Sequence, residues 1–87
     1  MIEKQIRVLV ADDHHLVRKN VQALLNKEED ITVVATASNG AETVRLTEAL
    51  VPDIVIMDIT MPTLDGIQSV QQIQMLDLPT RVIMLSM

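Results

Sequence analysis

The sequence predicts an α/β protein: an open parallel sheet covered by helices, in the order β-α-β-α-β-α-β. Three observations carry this prediction. Short continuous apolar runs recur along the chain, stretches with helical spacing lie between them, and Pro52 and Pro79 stand just before two of the runs. Continuous runs suit strands buried on both faces, as in a parallel sheet. Strict alternation with helices implies right-handed crossovers.

The first strand is Ile6–Ala11 (IRVLVA), short, β-branched and almost wholly apolar. A helix over His14–Lys27 follows, with Val17, Val21, Leu24 and Leu25 at i, i+4, i+7 and i+8. Ile31–Ala37 (ITVVATA) admits threonine and reads as an edge strand. Asn39–Leu50 opens on Asn39-x-x-Glu42, a capping-box pattern, although its apolar stripe is weak. Ile54–Met57 is the third strand. The third helix runs from Asp65 to about Met75, with a second box-like start at Asp65-x-x-Gln68 and Ile67, Val70 and Ile73 on one face. Arg81–Leu85 (RVIML) is the fourth strand. No linker, repeat or low-complexity segment interrupts this order, so the 87 residues read as one domain.

Composition narrows the function. The chain is 48% hydrophobic and 22% charged, which is globular rather than disordered. A core must be built from Ile, Val, Leu, Met and Ala, because Phe, Tyr and Trp are absent. That absence also removes the stacking surfaces favoured by single-strand nucleic-acid binders. The net charge of −5 and the scattered Lys and Arg provide no basic stripe for DNA or RNA. No apolar run approaches membrane-spanning length, no signal-like N-terminus is present, and the lack of cysteine excludes disulfides and thiolate metal sites. A cytoplasmic protein with no membrane partner is expected.

The third strand ends on a charge, Asp58, and the first runs into Asp12-Asp13. The fourth ends at Ser86. In open α/β sheets ligands sit beyond the C-terminal strand ends. If strands one, three and four are neighbours, three carboxylates and a hydroxyl meet there. Close like charges repel unless a cation or proton neutralises them. Mg²⁺, a hard ion held by one or two carboxylates with phosphate and water, fits that donor set.

The stretches LVADDH (Leu9–His14), DITMPTLDG (Asp58–Gly66) and VIMLS (Val82–Ser86) resemble the receiver domain of bacterial two-component response regulators. The resemblance covers the whole chain. DDHHLVR and TASNGAE are most similar to receivers that precede a LuxR-type helix-turn-helix output. It implies a flavodoxin-like sheet with strand order 2-1-3-4. It also implies that Asp58 is the phosphoacceptor, attacking a phosphohistidine of a sensor histidine kinase. Asp13 would bind Mg²⁺ directly, Asp12 through a water, and Thr60 through its backbone carbonyl. Ser86 would hydrogen-bond the phosphoryl group, and the Thr60 side chain would tune its lifetime. Pro62 and Gly66 would shape the loop after the third strand, and Asp65 reads as a helix cap. Such a module is a switch that catalyses only its own phosphorylation and slow dephosphorylation.

The chain departs from that family by stopping at Met87. A receiver continues with a helix, a fifth strand bearing a lysine and an aromatic switch residue, and a fifth helix. Lys4, Lys19 and Lys27 lie in earlier elements and do not replace that lysine. We therefore expect a receiver incomplete at its C-terminus, contacting DNA only through an output domain that the sequence lacks. We expect it to self-associate through an exposed fourth strand or an uncovered sheet face. The alternative is an interaction or dimerisation module that works without phosphorylation. A phosphohydrolase is disfavoured because Asp58-Ile59-Thr60 lacks the second Asp of a D-x-D motif. Asp12-Asp13 also admits a plain helix-capping role. His14 and His15 read as solvated first-turn residues.

Overall fold

The computed structural model describes residues 4–58 and 66–85. Its elements are β1 (Ile6–Ala11), α1 (His15–Asn26), β2 (Ile31–Ala37), α2 (Gly40–Leu50), β3 (Ile54–Asp58), α3 (Gly66–Met75) and β4 (Arg81–Leu85). The four strands form one parallel sheet in the order β2-β1-β3-β4. Element order, parallel pairing and strand order agree with the expected receiver-like, flavodoxin-like sheet. β2 is an edge, as its threonines suggested.

The chain steps from β1 to β2 on one side and from β2 across β1 to β3 on the other. Right-handed crossovers then place α1 and α2 on opposite faces of the sheet. The α2/α3 face holds Leu9, Ala11, Ala37, Val55 and Met57, all essentially inaccessible to solvent. Leu46 of α2, Val70 of α3, and Val82 and Met84 of β4 pack against them. Strand alternation turns Val8 and Val10 to the other face, where α1 lies against β2 and β1.

The β1–β2 register shifts between Val8 and Leu9: Val8 pairs with Val33, but Leu9 pairs with Ala35. The extra residue, Val34, turns the small side chains of Ala35 and Ala37 toward α2. The weak apolar stripe of α2 has a matching explanation. Its sheet-facing positions include Gly40, Thr43 and Thr47, all buried. Both hydroxyls are satisfied one turn back, Thr43 Oγ1 donating to Asn39 O and Thr47 Oγ1 to Thr43 O, each at 2.7 Å.

Three sequence expectations need correction. The Asn39 side chain caps α2 by accepting from Glu42 N at 2.8 Å, but Glu42 Oε1 reaches back to Ser38 N at 2.8 Å rather than to the cap's own amide. On α1, Val17, Val21 and Leu25 are half-buried in a single i, i+4, i+8 row, while Leu24 is 62% exposed. The helix lies against β2 and β1, and the face it turns to them does not include Leu24. On α3, Val70 and Ile73 turn inward, whereas Ile67 is exposed. The capping reading of Asp65 lies outside the described residues.

Below the sheet, at its N-terminal end, one aspartate joins three strands. Asp53 Oδ2 accepts from Arg7 N at 2.8 Å, Asp53 N donates to Arg7 O at 2.9 Å, and Arg81 N donates to Asp53 O at 3.0 Å. Thr80 Oγ1 adds a 2.6 Å bond to Pro52 O. Just before this knot, Val51 ends α2 in the left-handed region, at φ 44° and ψ 63°, with its carbonyl accepting from Arg7 Nη1 at 3.0 Å. A β-branched residue is strained there by roughly 1–2 kcal/mol, and glycine is not. Glycine also loosens the unfolded chain, which offsets part of the gain. Val51→Gly should therefore raise stability by about 1 kcal/mol, measured as a higher urea midpoint in far-UV circular dichroism. A lower midpoint would show that Val51 is held by contacts worth more than its strain.

Candidate functional site

The pairing of β1 with β3 places the site. Ala11 lies opposite Met57, so the next residue on each strand, Asp12 and Asp58, comes out side by side at the C-terminal end of the sheet. Both are buried, at 7% and 5% exposure. Asp12 N still donates to Ala37 O at 3.0 Å, which extends the β1–β2 ladder by one residue. The chain then turns into α1 within Asp13 and His14.

Asp12 makes that turn. Its Oδ1 accepts from His14 N at 2.8 Å and meets His14 Nδ1 at 2.9 Å. This is an Asx turn that precedes the helix, with His14 as the N-cap residue in an extended conformation. Asp12 therefore bonds the amide of the N-cap itself and not the free amides of the first helical turn. A plain helix-capping role would leave both Asp13 and Asp58 unexplained.

One carboxylate oxygen from each of Asp12, Asp13 and Asp58 and a ring nitrogen of His14 lie within 4.8 Å of one another. His14 Nδ1 is at the centre, 2.9 Å from Asp12 Oδ1, 3.2 Å from Asp13 Oδ1 and 3.7 Å from Asp58 Oδ2. The hydrogen bond to Asp12 and the negative charge of Asp13, then that of Asp12 and Asp58, raise the imidazole pKa above its ordinary 6.5; partial burial opposes them. The site thus draws positive charge into a group of oxygen donors. That chemistry fits a hard divalent cation such as Mg²⁺, and Asp12, Asp13 and Asp58 are the residues that would hold it.

The sequence-derived candidates Asp12, Asp13 and Asp58 are brought together. Thr60 and Ser86 lie outside the described residues. His14 is solvent-exposed, as the sequence reading expected, but that reading missed the contact of its ring Nδ1 with the acidic group. The available signal was its place two residues after Asp12, where an Asx turn folds residue i+2 back onto the carboxylate.

Residues 8–87 match the family described as the response regulator receiver domain. The chain belongs to that family. Among curated relatives, the transcriptional regulatory protein LiaR of Bacillus subtilis is 47% identical to this receiver over 68 residues, 78% of this chain and 32% of LiaR. A protein-glutamate methylesterase/protein-glutamine glutaminase of Geobacter metallireducens is 45% identical over 84 residues, 97% of this chain and 23% of that enzyme. The receiver thus spans no more than a third of the length of these relatives. Among solved structures, the signal receiver domain of the putative response regulator NarL from Mycobacterium tuberculosis superposes with a TM-score of 0.92. It is 37% identical, over 95% of this chain and 67% of that one. A receiver is a signalling domain, and the acidic cluster of this one is consistent with a phosphoacceptor role.

The raised His14 pKa fixes the sign of a pH effect in the metal-free receiver. A group whose pKa is higher folded than unfolded stabilises fully below the unfolded value of 6.5. That contribution fades as pH rises through the raised folded value. Titration of the His14 ring by NMR should give a midpoint above 6.5, and Asp12→Asn should lower it. A midpoint at or below 6.5 would show that the carboxylates do not hold the ring.

Proposed function

We propose that this receiver accepts a phosphoryl group onto Asp58 from a sensor histidine kinase, with Mg²⁺ bound, and thereby switches an output. The observation that carries the reading is the convergence of Asp12, Asp13 and Asp58 at adjoining strand ends. An Asp58 oxygen attacks the phosphorus of a phosphohistidine. The new P–O bond forms as the P–N bond breaks, and the departing imidazole keeps the electron pair and takes a proton from water. Asp12, Asp13 and the Thr60 carbonyl join Asp58 in holding the cation. When bound, Mg²⁺ offsets negative charge on the transferring phosphoryl oxygens.

In this reading Asp58 is the nucleophile, and Asp13 and Asp12 orient the cation and keep it beside Asp58. The Ser86 hydroxyl donates to a phosphoryl oxygen and reports its presence, and the Thr60 side chain tunes how long the phosphate lasts. These two roles follow from the family resemblance. The module is a cytoplasmic switch rather than a turnover enzyme, and residues 1–87 act as one unit of it. The likeness to LiaR favours a DNA-binding output carried by a separate domain. No described helix is long and apolar enough to cross a membrane.

The test is intact mass after incubation with Mg²⁺ and acetyl phosphate, a small phosphoryl donor. The wild type should gain one phosphoryl group, and Asp58→Asn or omission of Mg²⁺ should abolish the gain. An equal gain on Asp58→Asn would remove Asp58 from the role.

A second reading, self-association without phosphorylation, is favoured by one observation. Among the described residues β4 is a sheet edge, and its Ile83 and Leu85 are 47% and 42% exposed. Exposed apolar edges pair with other copies. Light scattering after size exclusion at high micromolar concentration should show a dimer, shifted toward monomer by Ile83→Lys. A wild type that stays monomeric sinks this reading and leaves the first intact.

A further inference from the structure

We infer that Arg18 is a positioning residue for the acidic site: it sets the peptide linking Asp12 to Asp13 and so aims both carboxylates at the cation. The inference rests on the phosphoacceptor reading and adds a residue to it. Arg18 lies one turn into α1, and side chains on a helix tilt toward its N-terminus. Its half-buried side chain runs back beneath the turn, where Nη1 donates to Asp12 O at 2.8 Å. Its Nη2 lies 3.2 Å from His15 Nδ1, which braces the guanidinium from the exposed side.

The placement of that bond is what matters. Asp12 O is the first carbonyl beyond the β1 strand, and it shares a peptide plane with Asp13 N. Asp12 N is already held by Ala37 O at 3.0 Å. With the amide held by β2 and the carbonyl held by Arg18, the Asp12 backbone is fixed on both sides. Rotation of the Asp12–Asp13 peptide would swing Asp13, whose exposed carboxylate has no strand to hold it. A guanidinium suits this task, because its fixed fork of donors can serve the carbonyl and the imidazole at once.

Groups that orient metal ligands typically cost ten- to a hundredfold in affinity when removed. Here the bond is to backbone and half-buried, so the low end applies. Mg²⁺ binding measured by titration calorimetry should weaken about tenfold in Arg18→Met. Phosphorylation by acetyl phosphate should need correspondingly more Mg²⁺ yet recover the wild-type rate at saturation. Arg18→Lys should recover part of the affinity, and Lys19→Met, the neighbouring exposed cation, should leave it unchanged. If Arg18→Met does not fold by circular dichroism, Arg18→Gln, too short to span to Asp12, carries the same expectation.

Wild-type Mg²⁺ affinity in a folded Arg18→Met would overturn the inference, as would an equal loss in Lys19→Met, which would reduce it to net charge. A lowered saturating rate with unchanged Mg²⁺ affinity would also overturn it. A wild type that binds no Mg²⁺ would instead overturn the proposed function.

Discussion

The structure depends on bringing three carboxylates to within 4.8 Å of one another without losing the fold. Like charges at that separation repel, and burial of Asp12 and Asp58 makes the repulsion harder to screen. The chain meets the constraint locally. Asp12 places one oxygen on the amide and ring of His14, and the ring nitrogen lies among the carboxylates, which raise its pKa. The same group of oxygen donors is the one that suits a hard divalent cation.

The opposite end ties the strands together. Asp53 ties Arg7 and Arg81 to the start of β3, and Arg7 in turn holds the carbonyl of Val51. These contacts set the register of β1, β3 and β4 before the strands reach the site. The β1–β3 pairing has no register shift, so Ala11 opposite Met57 follows from Val8 opposite Ile54, and Asp12 beside Asp58 follows from both. The inaccessible middle of the sheet, with Leu9, Val55 and Met57 under α2 and α3, carries that alignment from one pole to the other. α1 contributes less packing and more positioning. It has no fully buried residue, yet its N-terminal end supplies His15 and Arg18, which hold the turn that carries Asp12 and Asp13.

Much of this was legible in the sequence because its signals are local. Strands announce themselves through β-branched apolar runs, and the Asn39 cap through a four-residue pattern that the structure reproduces in its main bond. The reading failed where a side chain's partner is distant or its neighbour is missing. Leu24 and Ile67 fit helical periodicity but are exposed, since periodicity identifies a face and not what covers it. Thr43 and Thr47 weakened the apparent stripe of α2 although both are buried, because a hydroxyl bonded to the preceding turn behaves as an apolar group.

The order of elements, the parallel sheet and the candidacy of Asp12, Asp13 and Asp58 were determined by sequence alone, since each follows from patterning and from the rule that strand C-termini converge. The register between β1 and β3, the entry of His14 into the acidic group and the reach of Arg18 to Asp12 O were decided only in three dimensions. The physical reason is the same for all three. Each depends on angstrom-scale distances between backbones and rotamers set by packing, and a linear pattern records which residues are present but not which of two adjacent histidines faces the carboxylates.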